Sequence, residues 1–135
     1  MSVRCLTTAL TQITLFSETD KYGRITFVNE AFCQVSKYKK EELLGKPHSI
    51  VRHPDMPGKL FERLWFKIKN EEIFKAIIKN RAKDNSHYWV QAMIMPVVST
   101  TKDVIKYVGV RHLIENEEMA NVLYNQQAME LGLYR

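Results

Sequence analysis

At 135 residues, with 45% hydrophobic and 26% charged side chains, the chain has the size and make-up of one globular domain with a single core. That composition excludes a collagen-like or fully disordered polymer. A net charge of +5 permits an anionic partner, but the 20 Lys and Arg residues are scattered, with a knot only at Lys37, Lys39 and Lys40. No basic stripe interleaved with aromatics is present, so no nucleic-acid surface is expected.

Cys5 and Cys33 are too few for a disulfide framework or a zinc site, which fits a reducing compartment. Residues 1–10 lack the apolar run of a signal peptide. No stretch approaches the roughly 20 apolar residues of a membrane span. A cytoplasmic protein is expected, without direct membrane insertion and associated with a membrane only through a partner.

In chain order, Thr14–Ser17 is a short β-prone run, and Asp20, Tyr22 and Gly23 make a turn. Arg24–Val28 then alternates polar and apolar residues, as a half-buried strand does. Asn29 is placed to cap a helix from Glu30 to about Ser36. Lys40–Leu44 reads as a short helix closed by Gly45, and Pro47–Ile50 as another before the prolines at 54 and 57. From Gly58 to about Asn70, Leu60, Phe61, Leu64, Trp65 and Ile68 form the stripe of an amphipathic helix.

Three strands follow: Ile73–Lys79, Tyr88–Val98 after a turn at Asp84-Asn85-Ser86, and Val104 to about His112. From Glu115 the chain turns helical, and Met119, Val122, Leu123 and Met129 need this domain or another one to cover them. Two strands, a helical insert, three strands and a last helix predict an α+β fold with helices on one face of an antiparallel sheet.

The segments Gly23–Phe32, Glu42–His48, Val51–Pro57, Leu64-Trp65, Lys79–Arg81 and His87–Val90 resemble PAS domains. The run Arg52-His53-Pro54-Asp55-Met56-Pro57 resembles more narrowly the flavin-binding PAS domains of bacterial aerotaxis and energy-taxis receptors. The resemblance covers Leu15 to Leu113 and implies a PAS fold with a five-stranded antiparallel sheet, helices packed on one face and a C-terminal helix. It divides the chain into an N-terminal cap segment over 1–13, the PAS domain over 14–113 and a C-terminal signalling or contact helix over 114–135. This sequence departs from the family at Lys37, where a Gly is usual, and at Phe74-Lys75-Ala76, where Trp-x-Gly is usual. The turn at Asp84-Asn85-Ser86 lacks its common Gly, which Asn can replace because it tolerates a left-handed conformation.

The resemblance implies non-covalently bound FAD and a redox state passed by contact to a membrane-bound, methyl-accepting chemotaxis-type transducer, with a homodimer as a further partner. The cofactor-binding residues it suggests are Asn29, Arg52, His53, Asp55, Trp65, Phe74, Asn80 and Trp89. Arg52 can fork onto a phosphate or pair with Asp55, which can itself orient His53 or cap the next helix. Asn80 presents an amide that both donates and accepts, or is a strand-end residue bonding a loop backbone. Asn29 is a pocket residue or a cap. Trp65, Trp89 and Phe74 are ring contacts or core.

Among His48, His53, His87 and His112 no zinc-type spacing occurs, though one axial His suffices for haem. A haem gas sensor and a ligand-free PAS interaction module are therefore the alternatives. No cysteine stands in Gly45–His48, where photochemical flavin domains of this fold need one, and Cys33 reads as core. With no phosphate loop or nucleophile elbow, no enzyme and no catalytic residue are expected.

Overall fold

The computed structural model describes residues 12–133. Five strands, β1 (Thr14–Asp20), β2 (Ile25–Val28), β3 (Phe74–Arg81), β4 (His87–Val98) and β5 (Val104–Ile114), form one sheet in the order β2-β1-β5-β4-β3. Every neighbouring pair is antiparallel. Between β2 and β3 lie α1 (Glu30–Ser36), α2 (Lys40–Leu43), a 3-10 turn (His48–Val51) and α3 (Gly58–Lys69). A last helix, α4 (Glu117–Leu131), follows β5. The expected PAS-type α+β architecture is the one observed.

Element boundaries differ from expectation by small steps with local causes. The β1–β2 turn is held by Asp20 Oδ1, which accepts from the N–H groups of Tyr22 and Arg24 at 2.9 and 3.0 Å. Arg24 therefore belongs to the turn and forms an isolated bridge to Pro47, and β2 starts one residue later. Pro47 extends the chain as cap of the 3-10 turn, which begins at His48. Lys37 supplies the left-handed end of α1 itself, with φ 64°, and its Nζ reaches Asp84 Oδ2 at 2.6 Å and Ser86 Oγ at 3.1 Å. Asn85 likewise adopts φ 72° in the turn without glycine.

Strand parity sorts the sheet into two faces. Ser17, Thr19, Ile78, Asn80, Tyr107 and Arg111 are buried on the face toward the helical insert. Leu15, Ile25, Phe32, Leu43, Leu60 and Ile68 fill the core there, each at most 1% exposed. Each such side chain contributes on the order of 2 kcal/mol of burial.

The last helix lies against the other face, where Trp89 packs on Tyr124 with ring centroids 5.6 Å apart. It also clasps the free edge of β3, since Gln127 accepts from Ile77 N–H at 2.6 Å and donates to Ile77 C=O at 2.9 Å. An amide thereby pairs an edge that would otherwise be open to another strand. Ala120 and Ala128 are the buried residues of α4, whereas Met119, Val122, Leu123 and Met129 are 36–71% exposed. This domain does not cover the apolar stripe seen in the sequence. Among the described residues no helix is long and apolar enough to cross a membrane. Residues 1–11 of the expected N-terminal segment, with Cys5, and residues 134–135 lie outside the described residues.

Candidate functional site

A cavity of roughly 320 Å³ separates the sheet from its helical flank. Its floor is the sheet face of Ser17, Thr19, Asn80, Tyr107, Gly109 and Arg111, and its opposite wall is His48, Val51, Arg52, Phe61, Leu64 and Trp65. Tyr22, Pro47 and Ser49 form an exposed rim. The helical insert builds the wall because α3 turns its stripe inward while the 3-10 turn carries Arg52 back toward β3. There an isolated antiparallel bridge ties Arg52 to Asn80.

Three of the residues suggested by sequence meet in this cavity: Arg52, Trp65 and Asn80. The Arg52 guanidinium lies 3.6 Å from the centroid of the Phe61 ring, and its buried Nε has no hydrogen-bond partner. Burial lowers its pKa from the usual guanidinium value. Trp65 meets Tyr107 edge to face, with centroids 5.6 Å apart at 85°. Asn80 is 6% exposed on the floor.

Trp65 sits over the β1–β2 turn, so that a Cβ on Gly23 would come within 2.9 Å of its ring. Gly23 also holds φ +86°, a left-handed conformation that favours glycine. Gly23→Ala should therefore push Trp65 out of place and cost about 1–3 kcal/mol in a urea titration. An unchanged midpoint would contradict this packing.

The other five suggested residues stand elsewhere. Asn29 is the cap of α1: its Oδ1 accepts from Phe32 N–H at 3.0 Å and Phe16 N–H at 3.1 Å, and its Nδ2 donates to Thr14 C=O at 2.9 Å. His53 and Asp55 turn away from the cavity because each has a local partner. His53 Nδ1 accepts the Asp55 N–H at 3.0 Å, and Asp55 pairs with Lys79 at 3.1 Å on the surface. Phe74 shares the inner face with Ile78 but lies in a separate groove with Phe66 and Leu131. Trp89 points to the far face under α4, with the Lys79 ammonium 5.3 Å above its ring.

The sequence reading missed the polar centre of the floor. Arg111 is 5% exposed and, among the described residues, it is the one buried charged side chain. Its Nη1 donates to Ser17 Oγ and its Nη2 contacts His48 Nε2, each at 2.9 Å. The guanidinium occupies the space beside Gly109, where a Cβ would stand 2.6 Å from Nη1. Burial first and the Arg111 charge second push the His48 pKa down to about 3, so its imidazole is neutral. Burial brings Arg111 itself down to about 10, which leaves it charged at neutral pH. The available signal was strand parity, since Tyr107, Gly109 and Arg111 alternate along β5.

The model of the PAS fold matches residues 25–111, well over half of the chain. The chain belongs to the PAS fold family. It is also 43% identical over 119 residues, 88% of its length, to the aerotaxis receptor of Escherichia coli K12, of which it spans 23%. It is thus an aerotaxis-receptor-like PAS domain, equivalent to less than a quarter of that relative.

Two solved structures superpose with TM-scores of 0.77: the light-state Aureochrome1 LOV domain, at 20% identity over 94% of this chain and 98% of that one, and a light-oxygen-voltage domain studied with a flavin analogue, at 23% identity over 95% and 94%. At such identities they establish the fold.

Proposed function

We propose that this domain binds FAD with its ring in the cavity and reports the redox state of that ring to a chemotaxis transducer. The observation that carries the reading is the lining itself, an apolar and aromatic slot edged by an amide and two guanidinium groups, with the buried Arg52 Nε left without a hydrogen-bond partner. The kinship with an aerotaxis receptor and the likeness to a domain studied with a flavin analogue support the same choice.

The lining fits the group. A volume of 320 Å³ suits a planar ring system but not a whole dinucleotide, so the phosphates would lie toward the opening. Arg52 is the residue that would meet them, because its Nε is buried without a partner and a guanidinium forks onto phosphate oxygens. Trp65, Phe61 and Leu64 would hold the faces and edges of the ring, and Asn80 and Arg111 its polar rim.

A flavin supplies reversible electron uptake, on which a ring nitrogen changes from hydrogen-bond acceptor to donor. The Asn80 carboxamide can serve either pattern by rotating. The main chain of Asn80 is bridged to that of Arg52, so a shift of the strand at Asn80 bears on the helical wall as well. It acts by shifting an existing balance of positions.

The exposed stripe on α4 is the surface we assign to the transducer or to a second copy of this chain, and the expected cytoplasmic location follows from that role. Haem fits less well. Of the four histidines only His48 lines the cavity, and its Nε2 is taken up by Ser17 and Arg111.

Arg52→Ala and Asn80→Ala test the assignment. Each should lose at least tenfold in FAD affinity by equilibrium dialysis, about 1.4 kcal/mol or more, with far-UV circular dichroism unchanged. Unchanged affinity in both variants would remove these residues from the site.

A further inference from the structure

The β3 edge of the sheet is closed along most of its length. Arg52 bridges to Asn80, Met56 Sδ lies 3.5 Å from the Lys79 N–H, and Gln127 takes both main-chain groups of Ile77. Along an antiparallel strand the main-chain groups point to opposite sides at alternate residues, so those of Lys75 face the same edge as those of Ile77. Among the described residues no side chain or loop bonds them there. An unpaired stretch of edge is a template for another strand.

A groove of roughly 770 Å³ lies at this opening. One wall is α3, where Lys59, Arg63, Phe66 and Lys67 share the side turned away from the cavity; the other is Leu131, at the end of α4. Phe74 is buried at its floor, whereas Phe66 is 71% and Ile73 48% exposed. An aromatic ring this exposed, beside an exposed isoleucine, leaves an apolar patch uncovered. The rim is basic: Lys59, Arg63, Lys67 and Lys75 stand against Glu62 and Glu72, four cations to two carboxylates. Among the described residues none of the four cations is in an ion pair.

We infer that this groove is the docking site of a short, extended, acidic segment of a partner protein, which adds to the β3 edge at Lys75. An added strand sends alternate side chains to the two faces of a sheet. Apolar ones on one side then meet Phe66 and Phe74, those on the other meet Leu131, and flanking carboxylates reach the free cations. Gln127 ends the pairing at Ile77 and keeps the segment short. A lipid surface offers no strand to the edge, and Glu62 and Glu72 oppose a uniformly anionic one. The site is separate from the flavin cavity and does not depend on its occupant.

The test titrates the whole 135-residue chain into a fluorescein-labelled peptide with a Val-Phe-Val centre between two pairs of glutamates. Saturable anisotropy is expected, and the peptide should move the Lys75 amide resonance in nitrogen-15 spectra. Phe66→Glu and Arg63→Glu, both at exposed positions, should each weaken binding about tenfold or more with circular dichroism unchanged. A peptide with lysines for glutamates, or one N-methylated through its centre, should lose as much. No saturable binding, or binding indifferent to Phe66→Glu, would overturn the site. Equal binding of the N-methylated peptide would overturn the strand pairing. Phosphatidylglycerol vesicles that bind the chain through Phe66 where the peptide does not would assign the face to a membrane instead. Self-association in sedimentation that Phe66→Glu abolishes, without peptide binding, would assign it to a second copy.

Discussion

Lowering the pH from 6.5 to 4.5 should remove about 2–3 kcal/mol of folding stability, because His48 is held neutral inside the fold. Its folded pKa of about 3 lies below the 6.5 of the unfolded chain, so the unfolded state binds the extra proton first. The stabilisation is complete above pH 6.5 and is lost progressively toward pH 3. The charged group facing His48 is Arg111, which opposes a second positive charge.

Asp55, Asp84, Glu42 and Glu117 all have lowered pKa values, so the stability they contribute is fully present above the ordinary carboxylate range and is lost as the pH falls through it, at the acid end of this window and below. His53, lowered mainly by burial, acts in the same direction as His48 and makes a control necessary. In urea titrations at pH 7, 5.5 and 4.5, His48→Gln should show a much flatter profile than the wild type. Parallel profiles would contradict the assignment of the pH sensitivity to His48.

Replacing Asn29 by Ala should destabilise the domain by about 2–3 kcal/mol. One carboxamide ties the start of α1 to β1 through three bonds, so its loss leaves the N–H groups of Phe16 and Phe32 and the C=O of Thr14 without that partner. Asn29→Asp keeps the acceptor and loses the donor, and should cost about half as much. Thermal or urea unfolding measures both. A variant as stable as the wild type but deficient in FAD would return Asn29 to the binding site.

The fold was legible because its signals are local. Asn29 is a strong cap beside a strand, α3 carries an apolar stripe at helical spacing, and Asp20 to Gly23 is a turn with its chemistry written out. The last helix was harder. Its large apolar residues left open whether this domain or another one covers them; Ala120 and Ala128 are what fits against the sheet, and Met119 and Met129 remain exposed. Size marks what a helix would gain by burial, but the room beside the sheet decides which face goes in.

Only part of the site could be read in advance. Arg52, Trp65 and Asn80 lie within or beside motifs that stand out in the sequence, and the structure brings them to one cavity. His53 and Asp55 belong to the same motif, yet in a loop adjacent residues face different ways, and these two bond each other and Lys79. Arg111 and His48 are 63 residues apart and meet only once β5 lies beside β1 and the 3-10 turn closes over the sheet. No local pattern announces such a contact. A charged residue in the inward register of a strand was the one clue.

The visible absorption spectrum of the purified chain, with any released ligand identified after denaturation, is the most direct measurement of whether this cavity is a flavin site. Flavin bands and released FAD are the result expected from the lining of Arg52, Trp65, Asn80 and Arg111. A protein that stays colourless after incubation with FAD, or one that shows a Soret band, would contradict it.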